Sequence, residues 1–321
     1  MQKNERFCDA VDVFEAMPEK NVVSHNAMLS LYLGIGDFMS ARQKGHGIDV
    51  YLMNEIKNIT REYFHQPLAE KNKIKLSAET GYRGYKKIRE NINKGIPDIH
   101  EVIDCYREVK HGMYEDLGAV MQGSNKWPSY PPSFKQAMEQ YTDHCIDLSQ
   151  NIMRGIALAL DGSTDEMEGE IGGDPFWVLR LIGYHAVSIS NGHDRTQNDV
   201  GCGAHTNYGK TSDLYKDSTL SPLITNREWI SAPPIPSTFV YNIGDMLKIL
   251  SNGIYESMLH RVINNSPRYR VCVAYFYEPN FDTAIDPLDV CLQKTGGTKN
   301  FEGAIYGKHL VSKVTHPLSE K

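Results

Sequence analysis

Short runs rich in β-branched and aromatic residues dominate the chain from Trp177 onward. The clearest are WVLRLIGY, TFVYNIG, ESMLHRVI and RVCVAYFY, and Gly, Pro and Asn residues separate them. Such runs, bounded by turn-forming residues, are typical of β-strands. The part before Trp177 has helical patterns instead. A block of helices followed by a block of short strands predicts an α+β protein with an antiparallel jelly-roll core and flanking helices.

Two segments before the strands have apolar residues at helical spacing. In IDVYLMNEIKNITREYF this spacing predicts one amphipathic helix. A longer helix is predicted to open at Ser133, which forms a capping-box pattern with Gln136. Its apolar residues recur at alternating steps of four and three and form one face for packing on a sheet: Phe134, Met138, Tyr141, Cys145, Leu148 and Ile152. The acidic, Gly-rich segment 161–174 is predicted to be a solvated loop.

The first 44 residues follow a different pattern. Residues 9–17 and 23–33 are predicted to form two short amphipathic helices, broken by Pro18, as an N-terminal helical hairpin. MPEKNVVSHNAM in this segment resembles one pentatricopeptide repeat, the helical unit of RNA-binding arrays. A single repeat cannot bury its apolar face, and base readout requires an array. The sequence therefore favours a fusion remnant over an RNA-binding module and predicts a domain boundary between residues 1–44 and 45–321.

Composition and charge narrow the class of protein. The chain of 321 residues carries a net charge of -6, so a phosphate-rich partner is not expected. Its longest apolar runs are too short to cross a bilayer, and its first residues lack the features of a secretory or transit peptide. Its six cysteines have no CxxC spacing, which favours reduced thiols. These features predict a monomeric cytoplasmic protein that acts on small molecules.

Two histidines carry the candidate chemistry. His205 lies in HTNYG, and His260 follows 55 residues later in LHRV, on a predicted strand. Two neutral imidazoles and a carboxylate form the ligand triad of non-haem iron oxygenases. The chain has twelve histidines, so a pair of hydrogen-bonded core or surface residues is the alternative. The position two residues after His205, where a carboxylate is expected, is Asn207.

These motifs resemble those of the plant-type Fe(II)/2-oxoglutarate-dependent dioxygenases, the isopenicillin-N-synthase-like family. That family has the pattern His-x-Asp, then His, then Arg-x-Ser. HTNYG resembles its HTDYG, NIGDMLKILSNGIYESMLHRV its metal-strand region, and RVCVAYFYEPN its cosubstrate-binding strand. The resemblance implies a double-stranded β-helix, Fe(II) and 2-oxoglutarate as cofactors with ascorbate as an optional addition, and O2 and a small organic molecule as substrates. It also implies that residues 88–127 carry substrate-facing loops.

The resemblance also assigns roles to six residues. It implies that the metal ligands are His205, Asn207 and His260, and that the residues contacting 2-oxoglutarate are Arg270, Cys272 and Tyr184. The guanidinium of an arginine matches a carboxylate with two parallel hydrogen bonds. The alternatives are a surface arginine at Arg270 and an ordinary core tyrosine at Tyr184.

Three departures from the family pattern affect the function predicted. Asn207 is neutral where the family has aspartate, and its oxygen is a weaker ligand for Fe(II). Cys272 replaces a serine, and a thiol is a weaker donor than a hydroxyl. The polar residues of KTSDLYKDSTLSPLITNR interrupt a strand that is apolar in the family. We therefore expect either a weakly active dioxygenase that hydroxylates or desaturates a small molecule, or an inactive relative. Repeat-mediated RNA or protein binding ranks third.

Overall fold

The computed structural model describes residues 46–93, 96–186, 200–207, 211–216, 221–225, 228–232, 238–264 and 266–315. The strands in these residues are β1 (Gly84–Lys86), β2 (Ile92–Asn93), β3 (Ile96–Pro97), β4 (Glu101–Tyr106), β5 (Trp177–Tyr184), β6 (Val200–His205), β7 (Thr211–Lys216), β8 (Ser221–Thr225), β9 (Glu228–Ala232), β10 (Val240–Ile243), β11 (His260–Ile263), β12 (Arg270–Tyr277), β13 (Ala284–Ile285) and β14 (Ala304–Ile305).

The α-helices in the same residues are α1 (Val50–Phe64), α2 (Leu68–Lys71), α3 (Glu115–Ala119), α4 (Phe134–Ala159), α5 (Thr164–Glu168), α6 (Asp245–Leu250), α7 (Asp289–Lys294) and α8 (Tyr306–Thr315). None of the helices in the described part of the chain has the length and hydrophobicity needed to cross a bilayer.

Two antiparallel sheets form the core of the fold. The larger has six strands in the order β1-β4-β5-β12-β7-β10, and the smaller has four in the order β6-β11-β8-β9. Strand β12 pairs with β5 over eight residues and with β7 over six, so it lies at the centre of the larger sheet. This arrangement of helices and antiparallel sheets confirms the predicted α+β class with a jelly-roll core.

Successive residues of the larger sheet face opposite sides, as the geometry of a β-strand requires. One side packs against α1 and α4 and forms the main hydrophobic core, which includes Tyr63 of α1, Tyr141 of α4 and Val273 of β12. The other side carries a smaller apolar cluster that includes Ile182 and Ala274. The second side lines the pocket described below.

The helices predicted from periodicity are present. IDVYLMNEIKNITREYF contains α1, and the six apolar residues predicted on one face of the long helix are all buried in α4. The capping box at Ser133 is wrong, because the Ser133 side chain makes no capping hydrogen bond and its backbone already has helical angles. The segment 161–174 also differs from the predicted loop. It contains α5, whose first turn Ser163 caps.

The strand predictions differ from the structure in two places. ESMLHRVI is a strand only from His260 onward. The larger correction concerns residues 88–127, because β4 in this segment is a fully buried strand of the larger sheet rather than a loop. The strand expected to be irregular after His205 does form, since β7 pairs with both β12 and β10. The repeat-like segment 1–44 lies outside the described residues.

Candidate active site

A pocket opens between the two sheets, with a volume of about 660 Å³ including its mouth. The six residues assigned from the resemblance all line it, together with eight that were not: His100, Arg180, Ile182, Cys202, Val262, Val271, Ala274 and Phe276. The structure therefore brings the predicted metal and cosubstrate residues together in one place.

The two histidines face each other at the edge of the pocket. His205 ends β6 and His260 begins β11, and the two residues are direct partners in the antiparallel pairing of these strands. Their ring centroids are 4.3 Å apart. The Nδ1 atom of His205 lies 2.7 Å from the Gly203 carbonyl oxygen, and that of His260 lies 2.9 Å from the Met258 carbonyl oxygen. Since a carbonyl only accepts, both Nδ1 atoms carry the proton and the lone pair of each ring is on Nε2.

Asn207 lies in the same pocket and its side chain is buried. The loop that carries it is held by the start of α6. The Asp245 backbone N–H donates to the Asn207 carbonyl oxygen at 2.7 Å, and the Thr206 hydroxyl donates to the Asp245 carboxylate at 3.1 Å. Asn207 is therefore fixed beside the histidine pair, at the position where the family supplies a carboxylate.

The available ligand set decides how well Fe(II) fits this pocket. Within the described ranges, no three His, Cys, Asp or Glu side chains are grouped closely enough to hold a metal ion. Asp213, eight residues after His205, lies on β7 of the larger sheet, opposite Tyr275 and Tyr241. The set is two imidazole nitrogens and an amide oxygen. These atom types fit Fe(II), but they bring no negative charge to it.

Arg270 and Tyr184 form the opposite wall of the pocket. They are direct partners between β12 and β5, and the Arg270 guanidinium carbon lies 4.7 Å from the centroid of the Tyr184 ring. Both side chains are buried, and Cys272, two residues along β12, is buried beside them. Burial, with smaller contributions from Cys272 and Cys202, raises the pKa of Tyr184 well above its usual value. The tyrosine is therefore a neutral hydroxyl donor, and the Arg270 guanidinium lies over its ring.

Two further polar side chains of the pocket were not predicted from the sequence. His100 follows the β2–β3 hairpin, and its Nδ1 lies 2.7 Å from the Gly201 carbonyl oxygen. Burial lowers the pKa of His100 to about 4, so this imidazole is neutral. Arg180 lies on β5, where it forms a bidentate ion pair with Asp104 of β4. Both residues depend on elements in 88–127, where the family resemblance implied substrate-facing loops and no strand was predicted.

A second cluster lies behind the pocket, on the helix side of the larger sheet. At its centre is the Glu101 carboxylate, which is 1% exposed. It accepts four hydrogen bonds, from Lys71 Nζ at 2.6 Å, Tyr85 Oη at 2.6 Å, His185 Nε2 at 3.0 Å and Tyr269 Oη at 2.9 Å. Burial alone would raise the pKa of this carboxyl, but the bonds from His185, Lys71 and Tyr85 lower it to about 2.

Family comparisons agree with this geometry. Residues 180–279 match the family model of the 2OG-Fe(II) oxygenase superfamily, and residues 42–130 match that of the non-haem dioxygenase in morphine synthesis N-terminal family. The first match includes all six residues assigned from the resemblance.

Several known proteins resemble this chain over most of its length. Homoarginine-6-hydroxylase 2-ODD-C23.1 of Arabidopsis thaliana is 58% identical over 277 residues, which cover 84% of this chain and 83% of that protein. Homoarginine-6-hydroxylase 2-ODD-C23 of Glycine max is 57% identical over 274 residues, with the same coverage. The crystal structure of JOX2 with 2OG, Fe and JA is 28% identical, with a TM-score of 0.71 over 84% of this chain and 76% of that one.

Proposed function

Since this chain belongs to the 2OG-Fe(II) oxygenase superfamily, we propose that it is a 2-oxoglutarate-dependent hydroxylase of homoarginine-type amino acids, slowed by the neutral residue at its iron site. Fe(II) and 2-oxoglutarate are the cofactors of this family, as the sequence predicted. When bound together they supply an O2-dependent oxidation that converts 2-oxoglutarate to succinate and CO2 and places a hydroxyl group on the substrate. The pairing of His205 with His260 across β6 and β11 carries the proposal.

The proposal gives the pocket residues two tasks. The Nε2 lone pairs of His205 and His260 and the side-chain oxygen of Asn207 would hold the iron. Arg270 would bind the distal carboxylate of 2-oxoglutarate through two charge-assisted hydrogen bonds, because its guanidinium is buried and fixed in orientation by the Tyr184 ring. Tyr184 and Cys272 would donate to the same cosubstrate. Removing the pocket from bulk water strengthens each of these contacts.

Asn207 supports a second candidate, an inactive relative that keeps the fold and part of the ligand binding. An amide oxygen of Asn207 would take the place of an anionic oxygen among the atoms that hold the metal. Changes in residues that only support metal ligands typically cost about 10- to 100-fold in metal affinity or activity. Loss of the ligand charge itself is expected to cost at least as much. Slow turnover and no turnover are therefore the two outcomes to separate.

Anaerobic titration of the purified protein with Fe(II), with and without 2-oxoglutarate, tests the site. We expect weak iron binding that becomes tighter when 2-oxoglutarate is present, since the cosubstrate contributes anionic oxygens. Admission of O2 with homoarginine present then separates the two candidates. Succinate formed only with homoarginine supports the hydroxylase. Binding of both cofactors without succinate supports the inactive relative, and absence of any iron binding contradicts both.

The proposed substrate follows from the relatives named homoarginine-6-hydroxylase, at 58% and 57% identity. We also propose that the oxygenase unit begins near residue 45, since the family match begins at residue 42. The segment 1–44 then contributes nothing to catalysis. A protein lacking residues 1–44 should bind 2-oxoglutarate as the full chain does. RNA binding that is lost on this truncation would instead support the repeat-based alternative.

A further inference from the structure

The pocket contains a second arginine to which neither cofactor assigns a role. Arg180 and Arg270 lie on neighbouring strands and both line the pocket. Arg270 pairs with Tyr184, whereas Arg180 pairs with Ala274. The offset of four residues from Arg180 to Tyr184 corresponds to about 13 Å along a strand. The two guanidinium groups therefore originate well apart on the same wall, and two separate anions suit them better than one.

The ion pair of Arg180 fixes the orientation of its guanidinium. Nε donates to Asp104 Oδ1 at 2.6 Å and Nη2 donates to Oδ2 at 3.0 Å. The Asp104 side chain is 2% exposed and the Arg180 side chain is 35% exposed, so Asp104 anchors the guanidinium from behind. A guanidinium has five N–H groups in one plane, and this pair uses only one edge. The edge formed by Nη1 and Nη2 has the geometry to donate two hydrogen bonds to a second carboxylate.

Apolar side chains of the pocket adjoin both Arg180 and the strand of His260. Ile182 is two residues after Arg180 on β5, Ala274 is the partner of Arg180 on β12, and Val262, two residues after His260 on β11, packs against the cluster that contains Ile182 and Ala274. An aliphatic chain gains free energy by lying on such a surface, whereas a polar chain would lose its hydration. The pocket thus offers a cation on β5, an apolar cluster beside it, and a histidine on β11 two residues from the part of that cluster formed by Val262.

We propose that Arg180 binds the α-carboxylate of the amino-acid substrate, whose aliphatic chain runs along Ile182 and Ala274 toward His205 and His260. This inference rests on the proposed function, and it identifies the Arg180 guanidinium as the group that sets the orientation of the substrate. In homoarginine the carboxylate is carbon 1 and carbon 6 lies at the far end of the chain. Anchoring carbon 1 at Arg180 therefore presents the far end to the histidine pair. Amino acids with a carboxylate and a long aliphatic chain are the substrate class that fits.

The test compares two ligands that differ only in the carboxylate. Calorimetry under anaerobic conditions measures binding of homoarginine and of its decarboxylated form, homoagmatine, to the full chain loaded with Fe(II) and 2-oxoglutarate. We expect homoarginine to bind about tenfold or more tightly than homoagmatine, because only homoarginine forms the charge-assisted pair. Equal affinities would overturn the assignment of Arg180 while leaving the proposed function intact. If 2-oxoglutarate binds and neither compound does, both the substrate and the assignment are wrong.

A variant locates the effect at Arg180. Arg180→Lys keeps the charge opposite Asp104 and thereby avoids leaving a buried carboxylate without a cation, but it removes the planar fork. We expect it to weaken homoarginine binding about tenfold and to leave homoagmatine binding unchanged. Arg107→Lys is the matched control, because Arg107 is also ion-paired, with Asp174, but does not line the pocket. Equal weakening of both ligands, or weakened binding of 2-oxoglutarate instead, would overturn the inference.

Discussion

The two faces of the larger sheet hold charge in different ways. On the helix side, the buried Glu101 carboxylate accepts four hydrogen bonds from neighbouring side chains. On the pocket side, the described residues that line the cavity include two arginines and three histidines but no carboxylate. The helix side balances its buried charge within the protein. The pocket side presents arginine side chains to its ligands, which suits anions such as 2-oxoglutarate, and Asp104, which balances Arg180, does not line the cavity.

Residues adjacent in sequence connect the two faces. Tyr184 faces the pocket, and His185 after it bonds to Glu101. Arg270 faces the pocket, and Tyr269 before it also bonds to Glu101. The Glu101 cluster therefore holds the ends of β5 and β12 from behind, where the proposed cosubstrate residues lie. The comparison shows how the pocket wall that carries Tyr184 and Arg270 is held in shape by a fully bonded carboxylate on the opposite face of the sheet.

The largest expected effect comes from Glu101→Gln. Removing this charge leaves the buried Lys71 ammonium without its partner, and breaking a buried ion pair typically costs about 3 kcal/mol or more. Denaturant unfolding should show a loss of about this size. Glu139→Gln is the control, because its ion pair with Lys135 is exposed and should contribute less than about 1 kcal/mol. Equal stabilities of the two variants would show that the cluster does not support the fold.

The same carboxylate predicts how stability depends on pH. Its pKa is about 2 in the folded protein, against an ordinary value of 4.5. A lowered pKa contributes stability above the ordinary value, and this contribution is lost as the pH falls from about 4.5 toward 2. The natural protein should therefore lose more stability than Glu101→Gln across this interval. Parallel pH profiles of the two proteins would contradict the assignment.

The next effect concerns Arg270 on the pocket side. Arg270→Lys removes a bidentate pair and should weaken 2-oxoglutarate binding by roughly 1.5–3 kcal/mol. Calorimetry with 2-oxoglutarate measures the change. Arg268→Lys, at an exposed position two residues before, is the control and should bind normally. Unchanged binding in a folded Arg270→Lys protein would place the carboxylate site elsewhere, with Arg180 the first alternative.

The difference between the two faces also explains which strands could be predicted from the sequence. β5 and β12 were predicted with the bounds that the structure has, because their apolar and aromatic residues mark them locally. β4 was missed, because EVIDCY carries Glu101 and Asp104, whose charges are balanced by distant residues. Lys71 lies 30 residues before Glu101, and Arg180 lies 76 residues after Asp104. Sequence patterns do not contain such distant partners. The pocket residues Arg180, which pairs with Asp104 of β4, and His100, which directly precedes β4, were missed for the same reason.

The candidate site was predicted from linked motifs rather than from periodicity. Family resemblance placed His205, His260 and Arg270, and the structure brings them to one pocket. Their roles stay predictions, as do the cytoplasmic location and the monomeric state. Resemblance did not indicate Arg180. The role proposed for it follows from its separation from Arg270 in the folded pocket, which the sequence does not contain. The Nδ1 contacts that fix both histidine rings also required the structure.

A smaller effect is expected from restoring the missing charge in the pocket. Asn207→Asp should raise Fe(II) affinity by at least about tenfold, because an anionic oxygen replaces a neutral one in contact with the metal. Side-by-side anaerobic titrations measure it. Asn151→Asp adds the same charge on α4, where Asn151 accepts a hydrogen bond from Arg154, and should leave iron affinity unchanged. Equal and tight binding by the natural protein and Asn207→Asp would mean that Asn207 is no defect.

The smallest effect is expected at Cys272. Its replacement by serine should destabilise the ligand-free protein but strengthen the binding of 2-oxoglutarate. Cys272 is buried in the apolar cluster with Ile182 and Ala274. In Cys272→Ser, a hydroxyl in this cluster should lower the free energy of unfolding by about 1 kcal/mol without ligand. With 2-oxoglutarate bound, the hydroxyl donates to the distal carboxylate and should strengthen binding by roughly 0.5–1 kcal/mol, about two- to fivefold.

Cys145→Ser separates this effect from a general cost of burying a hydroxyl. Cys145 is buried in α4, in the main hydrophobic core, and does not line the pocket. Its replacement should destabilise the protein by a similar amount, and 2-oxoglutarate should not restore the loss. Thermal unfolding of both variants with and without the cosubstrate measures the two terms. If 2-oxoglutarate stabilises Cys272→Ser no more than it stabilises Cys145→Ser, then residue 272 does not contact the bound carboxylate, and Arg270 and Tyr184 hold it without a third donor on β12.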